Sequence, residues 1–134
     1  MSGLVLKLAP NERVLINGAV VENGDRRGRL SVVTPNANIL RLRDAIHPEQ
    51  ANTPVKRVCY LAQLVLSGDL ACEEAKSQLL KGIEQLSQVF TDPDSRKQLD
   101  SASDATLQGQ FYQAMKSLKL LIPREDRLIS AIQA

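Results

Sequence analysis

The chain has 134 residues, 43% of them apolar, and a formal net charge of +2; this is the length of one domain with enough apolar surface for a core, which excludes a disordered chain. Aromatic residues make up only 3%, with no Trp, so the core has to be built from Leu, Ile, Val and Ala, and RNA recognition by rows of stacked rings is disfavoured. No apolar stretch approaches the roughly 18 residues of a membrane-spanning helix, and the opening MSGLVLKLAPNERV has no basic flank followed by a hydrophobic run, so the expectation is a soluble, cytoplasmic protein without membrane association.

Leu4, Leu6 and Leu8 alternate and predict a first strand that Pro10-Asn11 stops. The run 13–22 places Asn17-Gly18 between apolar segments, and Asn23-Gly24-Asp25 follows; both Asn-Gly pairs suit turns with positive φ. Residues 27–34 and 38–43 extend the pattern across a turn at Thr34-Pro35-Asn36. Alternation in NILRLR puts Arg41 and Arg43 on one wetted face.

The character changes at His47-Pro48. Thr53 is placed to cap a helix with Pro54 at its first position, and Val55, Val58, Cys59, Ala62, Val65 and Leu66 follow helical spacing to Gly68. Asp69 is the expected cap of a second helix, with an apolar stripe of Leu79, Leu80, Ile83, Leu86, Val89 and Phe90. Asp92-Pro93 ends it and opens another. Residues 94–104 are polar with only Leu99 as an anchor, so that segment is expected to face solvent or move. A stripe from Leu107 through Phe111, Met115, Leu118 and Leu121 or Ile122 predicts one helix from Ala105 to Ile122, terminated by Pro123, with a short amphipathic tail. The sum is an α+β fold: an N-terminal antiparallel β-meander or small barrel-like sheet, then a C-terminal bundle of three to four helices. The strand-rich, Arg-rich lobe spans 1–47 and the helical lobe 48–134, together one compact domain.

Catalytic signals are missing, and the expectation is a protein that is not an enzyme. His47, the one histidine, precedes a proline without Cys or carboxylate at metal-ligand spacing. There is no nucleophile elbow, and NGDRRGR lacks the spacing and terminal Lys-Ser/Thr of a phosphate loop. Cys59 and Cys72 read as reduced core residues. No metal and no cofactor are expected.

The charge is unevenly distributed. Residues 1–57 carry nine basic and five acidic side chains, residues 58–134 eight and ten. Arg26, Arg27, Arg29, Arg41 and Arg43 fall within eighteen positions that contain no Lys; the planar guanidinium fork grips phosphate or a guanine edge, as an ammonium cannot. Two readings compete: arginines that blunt a sheet edge, or a basic stripe of these five with Lys56 and Arg57 that lies along RNA.

The segments LKLAPNERVLINGAVVENGDRRGRL, ILRLRDAI, TPVKRVCYLAQL and QGQFYQAMKSLKLLIPRED together resemble the FlbT family of flagellar regulators, from about Leu4 to Ile132, most specifically in NGAVVENGDRRG. The resemblance implies post-transcriptional control of bacterial flagellum biogenesis: binding to the 5′ untranslated leader of flagellin mRNA, translation regulation as a repressor or an activator, and a companion protein, FlaF. LRLRDAI after a Pro-Asn turn is also similar to the carbon storage regulator family; that likeness implies an RNA-contacting role for Arg43 and a strand-exchanged homodimer. The leading expectation is therefore a regulator of flagellin synthesis acting on the message leader. The other is an adaptor whose helical half binds flagellin, its chaperone or FlaF.

Overall fold

A computed structural model describes residues 4–34 and 37–133. Five strands come first: β1 (Leu4–Leu8), β2 (Arg13–Ile16), β3 (Ala19–Glu22), β4 (Gly28–Val32) and β5 (Ile39–Arg41); then α1 (Pro54–Leu66), α2 (Cys72–Ser87), α3 (Pro93–Leu107), α4 (Phe111–Lys119) and α5 (Ile122–Gln133). The α+β class and its order are as the sequence predicts, with five helices where three to four were expected. The turn placed at Thr34-Pro35-Asn36 lies partly outside the described residues.

The strands do not form a simple meander. β1 pairs with β4, and β2 pairs with both β3 and β5, all antiparallel, so there are two small sheets with orders β1-β4 and β3-β2-β5. Among the described residues only β2–β3 is a sequence-local hairpin, and its turn is the expected Asn17-Gly18, both at positive φ (49° and 84°). The second Asn-Gly pair behaves otherwise: among the described residues Asn11, not Gly24, takes the left-handed conformation (φ 60°). Its amide donates to the Gly24 carbonyl at 2.8 Å.

Burial on both sides of β5 explains the layering. Ile39 joins Leu6, Leu8 and Val14 in one apolar cluster, with Leu30 and Val32 against it. Its neighbour Leu40 points the other way, into the large helical cluster, and its register partner Leu15 packs there too. The sheet of β2, β3 and β5 is thus a middle layer, with β1–β4 on one face and the helices on the other. Polar ties hold the helical side: Gln63 exchanges two hydrogen bonds with the backbone of Ile46 (2.6 and 2.9 Å), and the Lys119 ammonium donates to the Asp44 carbonyl.

The helices begin and end for identifiable reasons. Thr53 Oγ1 accepts from the Lys56 amide and Pro54 occupies the first position of α1, while Gly68 (φ 86°) ends it, as expected. Asp92 caps α3 through the Ser95 amide at 3.0 Å, and Pro93 follows. Several expectations are corrected. α2 starts after Ala71; Asp69 instead accepts from the Ser67 hydroxyl at 2.7 Å. Residues 94–104 face solvent through Asp94, Arg96, Lys97, Asp100 and Asp104, as expected, but they are most of α3 rather than a mobile stretch, and its inner face of Ser95, Leu99, Ala102, Ala105 and Thr106 packs on α2 and α4. The predicted helix from Ala105 to Ile122 is split by Gly109 (φ 76°), which leaves Leu107 exposed. Pro123 opens α5 instead of closing its predecessor, since a first-turn N–H needs no helical partner. Cys59 is buried, which pushes its thiol up to about 12, whereas Cys72 is exposed in the first turn of α2 and is not a core residue.

Candidate nucleic-acid interface

Alternation along β1 buries Leu6 and Leu8 and turns Lys7 outward. Its register partner on β4 is Arg29, so two cations stand directly opposite each other on the outer face, the side away from the helices. Like charges in that position destabilise a strand pair. Arg27 and Arg43 complete the rim of an open groove of about 610 Å³ lined by Lys7, Leu8, Ala9, Arg27, Gly28, Arg29 and Arg43. Among the described residues no carboxylate lines it. Among the described residues, Lys7, Arg27 and Arg29 form no ion pair, and Arg43 has one loose contact, 3.7 Å to Glu12.

The loop that carries Arg26 and Arg27 is held by Asn23. Its side-chain amide donates to the carbonyls of Ala9 (2.8 Å) and Arg26 (2.9 Å), and its backbone amide donates to Glu12 (2.8 Å). Gly28 passes so close that a Cβ there would stand 3.1 Å from Asn23 Oδ1. One amide thus fixes the spacing between the β1–β2 turn and the arginine loop.

Arg41 differs from its neighbours. The expectation of a shared wetted face with Arg43 fails because β5 ends at Arg41 and residues 42–44 form a 3₁₀ turn. Arg41 keeps the inward direction of Ile39 and is 9% exposed. Its guanidinium donates to both oxygens of Glu12 at 2.8 Å and to the Lys7 carbonyl. Those bonds, with a third from the Ala9 amide, hold the Glu12 carboxyl down at about 2, and the pairing raises Arg41 above its ordinary value.

Of the seven side chains singled out from the sequence, Arg27, Arg29 and Arg43 meet at the groove, and Arg26 is exposed on the adjoining loop. Arg41 lies beneath it in an internal ion pair. Lys56 and Arg57 are elsewhere, Lys56 in a hollow with Glu49 and Ile122, Arg57 between α1 and α2. Lys7 is the residue the sequence reading missed; as a lone Lys in an apolar strand it gave no signal until its cross-strand partner was known. His47 accepts at Nδ1 from the Glu49 amide (3.4 Å) and caps a 3₁₀ turn. Among the described residues no three His, Cys, Asp or Glu side chains are grouped to hold a metal, and no helix is long and apolar enough to cross a membrane.

Residues 4–129 match the family model of the flagellar protein FlbT. The chain belongs to the FlbT family. A probable flagellum biosynthesis repressor protein FlbT of Rhodopseudomonas palustris is 35% identical over 129 residues, covering 95% of this chain and 98% of that one. A relative of the same description in Bradyrhizobium diazoefficiens is 33% identical, over 98% of this chain and 88% of its own. The flagellum biosynthesis repressor protein FlbT of Caulobacter vibrioides is 28% identical over 98% and 92%. No solved structure matches the chain. These FlbT relatives are named as repressors rather than as enzymes, which supports a regulatory role for this member.

Proposed function

We propose that this FlbT-family protein is a cytoplasmic, non-catalytic repressor of flagellin synthesis that binds the 5′ leader of flagellin mRNA through the outer face of β1–β4. The observation that carries the reading is the cross-strand pair of Lys7 and Arg29, flanked by Arg27 and Arg43 around a groove without carboxylates. A like-charge pair that costs stability is explained when an anion spans it. Phosphates lie along Lys7, Arg29 and Arg27, and Arg43, 60% exposed, reaches a base edge or stacks on it. Arg26 adds a contact at the loop, whereas Arg41 acts from below by fixing Glu12 and the start of the 3₁₀ turn that presents Arg43. Lys56 and Arg57 lie outside the contact set. A partner such as FlaF or flagellin, or a second copy in a homodimer, has the helical side free for its own contacts.

The test is retardation of a flagellin leader transcript by the purified protein at low salt. Retardation that survives excess unrelated duplex DNA and is lost in Arg27→Gln/Arg29→Gln supports the reading; no retardation at any salt, with the protein folded, removes it.

A further inference from the structure

The hollow between α1 and α2 has a different character from the arginine groove. Val58, Leu61, Leu86 and Val89 make its apolar lining, and Arg57 and Lys81 stand on opposite walls, one on each helix, around about 500 Å³. Among the described residues no carboxylate lines it and neither cation is in an ion pair. Val89, 62% exposed, also borders the next hollow, where Leu128 and Arg127 of α5 repeat the pairing of an apolar side chain with a cation. The carboxylate there, Asp92, is already engaged by Arg124 at 2.6 Å. From Gln78 to Val89 the channel follows α2 and its end for about 16 Å, the length of three helical turns. Gly82 in its wall is explained by packing, since a Cβ there would meet Val58 Cγ2 at 2.8 Å.

We propose that this channel docks an acidic amphipathic helix of another protein. Its apolar residues at i, i+3, i+4 and i+7 enter the lining, and its carboxylates meet Arg57 and Lys81, with Arg127 at the far end. Charge selects this occupant over the α5 of a second copy: the exposed apolar face of that helix, with Leu128 and Ile132, sits beside Arg127, so a like charge would face Arg57 and Lys81. RNA fits poorly, because the lining has no ring on which a base can stack. Arg57, counted with the RNA stripe from sequence, is thereby assigned to protein binding.

The probe is a fluorescein-labelled designed helix of about four turns with leucines at that spacing and glutamates elsewhere, beside its lysine counterpart. Anisotropy titrations use the full chain and its Arg57→Glu/Lys81→Glu and Val89→Glu variants, all three positions exposed, with thermal melting as the folding control. The glutamate helix binds and the lysine helix does not; each variant weakens the glutamate helix by at least about tenfold, and the charge reversal gains the lysine helix. The proposal is overturned if the glutamate helix fails to bind or binds the variants equally. It is also overturned if the charge reversal leaves that helix untouched and instead abolishes co-sedimentation with phosphatidylglycerol vesicles or retention of the leader RNA.

Discussion

Glu12 and Arg41 form the most consequential pair of side chains in the strand lobe, both nearly buried and joined by two bonds of 2.8 Å. Removing one partner leaves the other charge without compensation, so Glu12→Ala is expected to cost on the order of 3 kcal/mol, measured by chemical denaturation. The pH dependence has a definite sign. The Glu12 carboxyl sits at about 2 when folded and at 4.5 when free, so its contribution is complete above pH 4.5 and drains away as the pH falls toward 2. Melting temperatures of the native protein should drop across that window, and Glu12→Gln should show a flatter acid limb. Lys7 and Arg29 behave oppositely: Lys7→Gln relieves a like-charge pair and should leave stability unchanged or slightly raised while RNA affinity falls. Such an opposition between stability and binding is what a site, as against a merely solvated rim, produces.

Among the elements, α5 carries a distinctive clip. Its Glu125 is buried and accepts from the Thr53 hydroxyl and, at 2.8 Å, from the Val55 amide, so one carboxylate satisfies the first turn of α1. Glu125→Ala should cost about 1–3 kcal/mol and loosen the C-terminal helix, visible as faster amide exchange in α5. α3 offers a second check. Leu99 is its buried anchor, and Leu99→Ala should destabilise by about 2–5 kcal/mol, a loss that a mobile segment would not suffer. The sequence was readable wherever an element carries its own punctuation: Asn17-Gly18, Thr53-Pro54, Gly68 and Asp92-Pro93 all act as their chemistry dictates. It misled where burial uses small residues. Ser95, Ala102 and Thr106 look polar or weak in a hydropathy pattern, yet Thr106 donates inward to the Ala102 carbonyl at 2.7 Å and so enters the core without an unpaired hydroxyl. Pro123 misled because the same residue that stops one helix is permitted in the first turn of the next.

Across the whole molecule, the middle sheet is what separates the two faces. With Ile39 facing β1–β4 and Leu40 facing the helices, cations on the outer strands point away from the apolar channel on α1 and α2. Under the proposed reading, RNA on the strands and a helix in the channel would occupy opposite sides without competing. The arginine run was legible in sequence as a block, and its loop lies at the groove. What sequence periodicity missed was the inward turn of Arg41 and the arrival of Lys7 from a strand some twenty residues upstream, because both depend on the β1–β4 register and on where β5 stops. Register is a tertiary property, fixed by which apolar faces stack, and no local pattern declares it.

The most direct measurement is the salt dependence of affinity for the flagellin leader RNA. Four phosphate contacts from Lys7, Arg26, Arg27 and Arg29 give a slope of log K against log salt of roughly −2.8, falling to roughly −1.4 in Lys7→Gln/Arg29→Gln. An identical slope in the two proteins, or binding indifferent to salt, would contradict the assignment of the β1–β4 face as the RNA site.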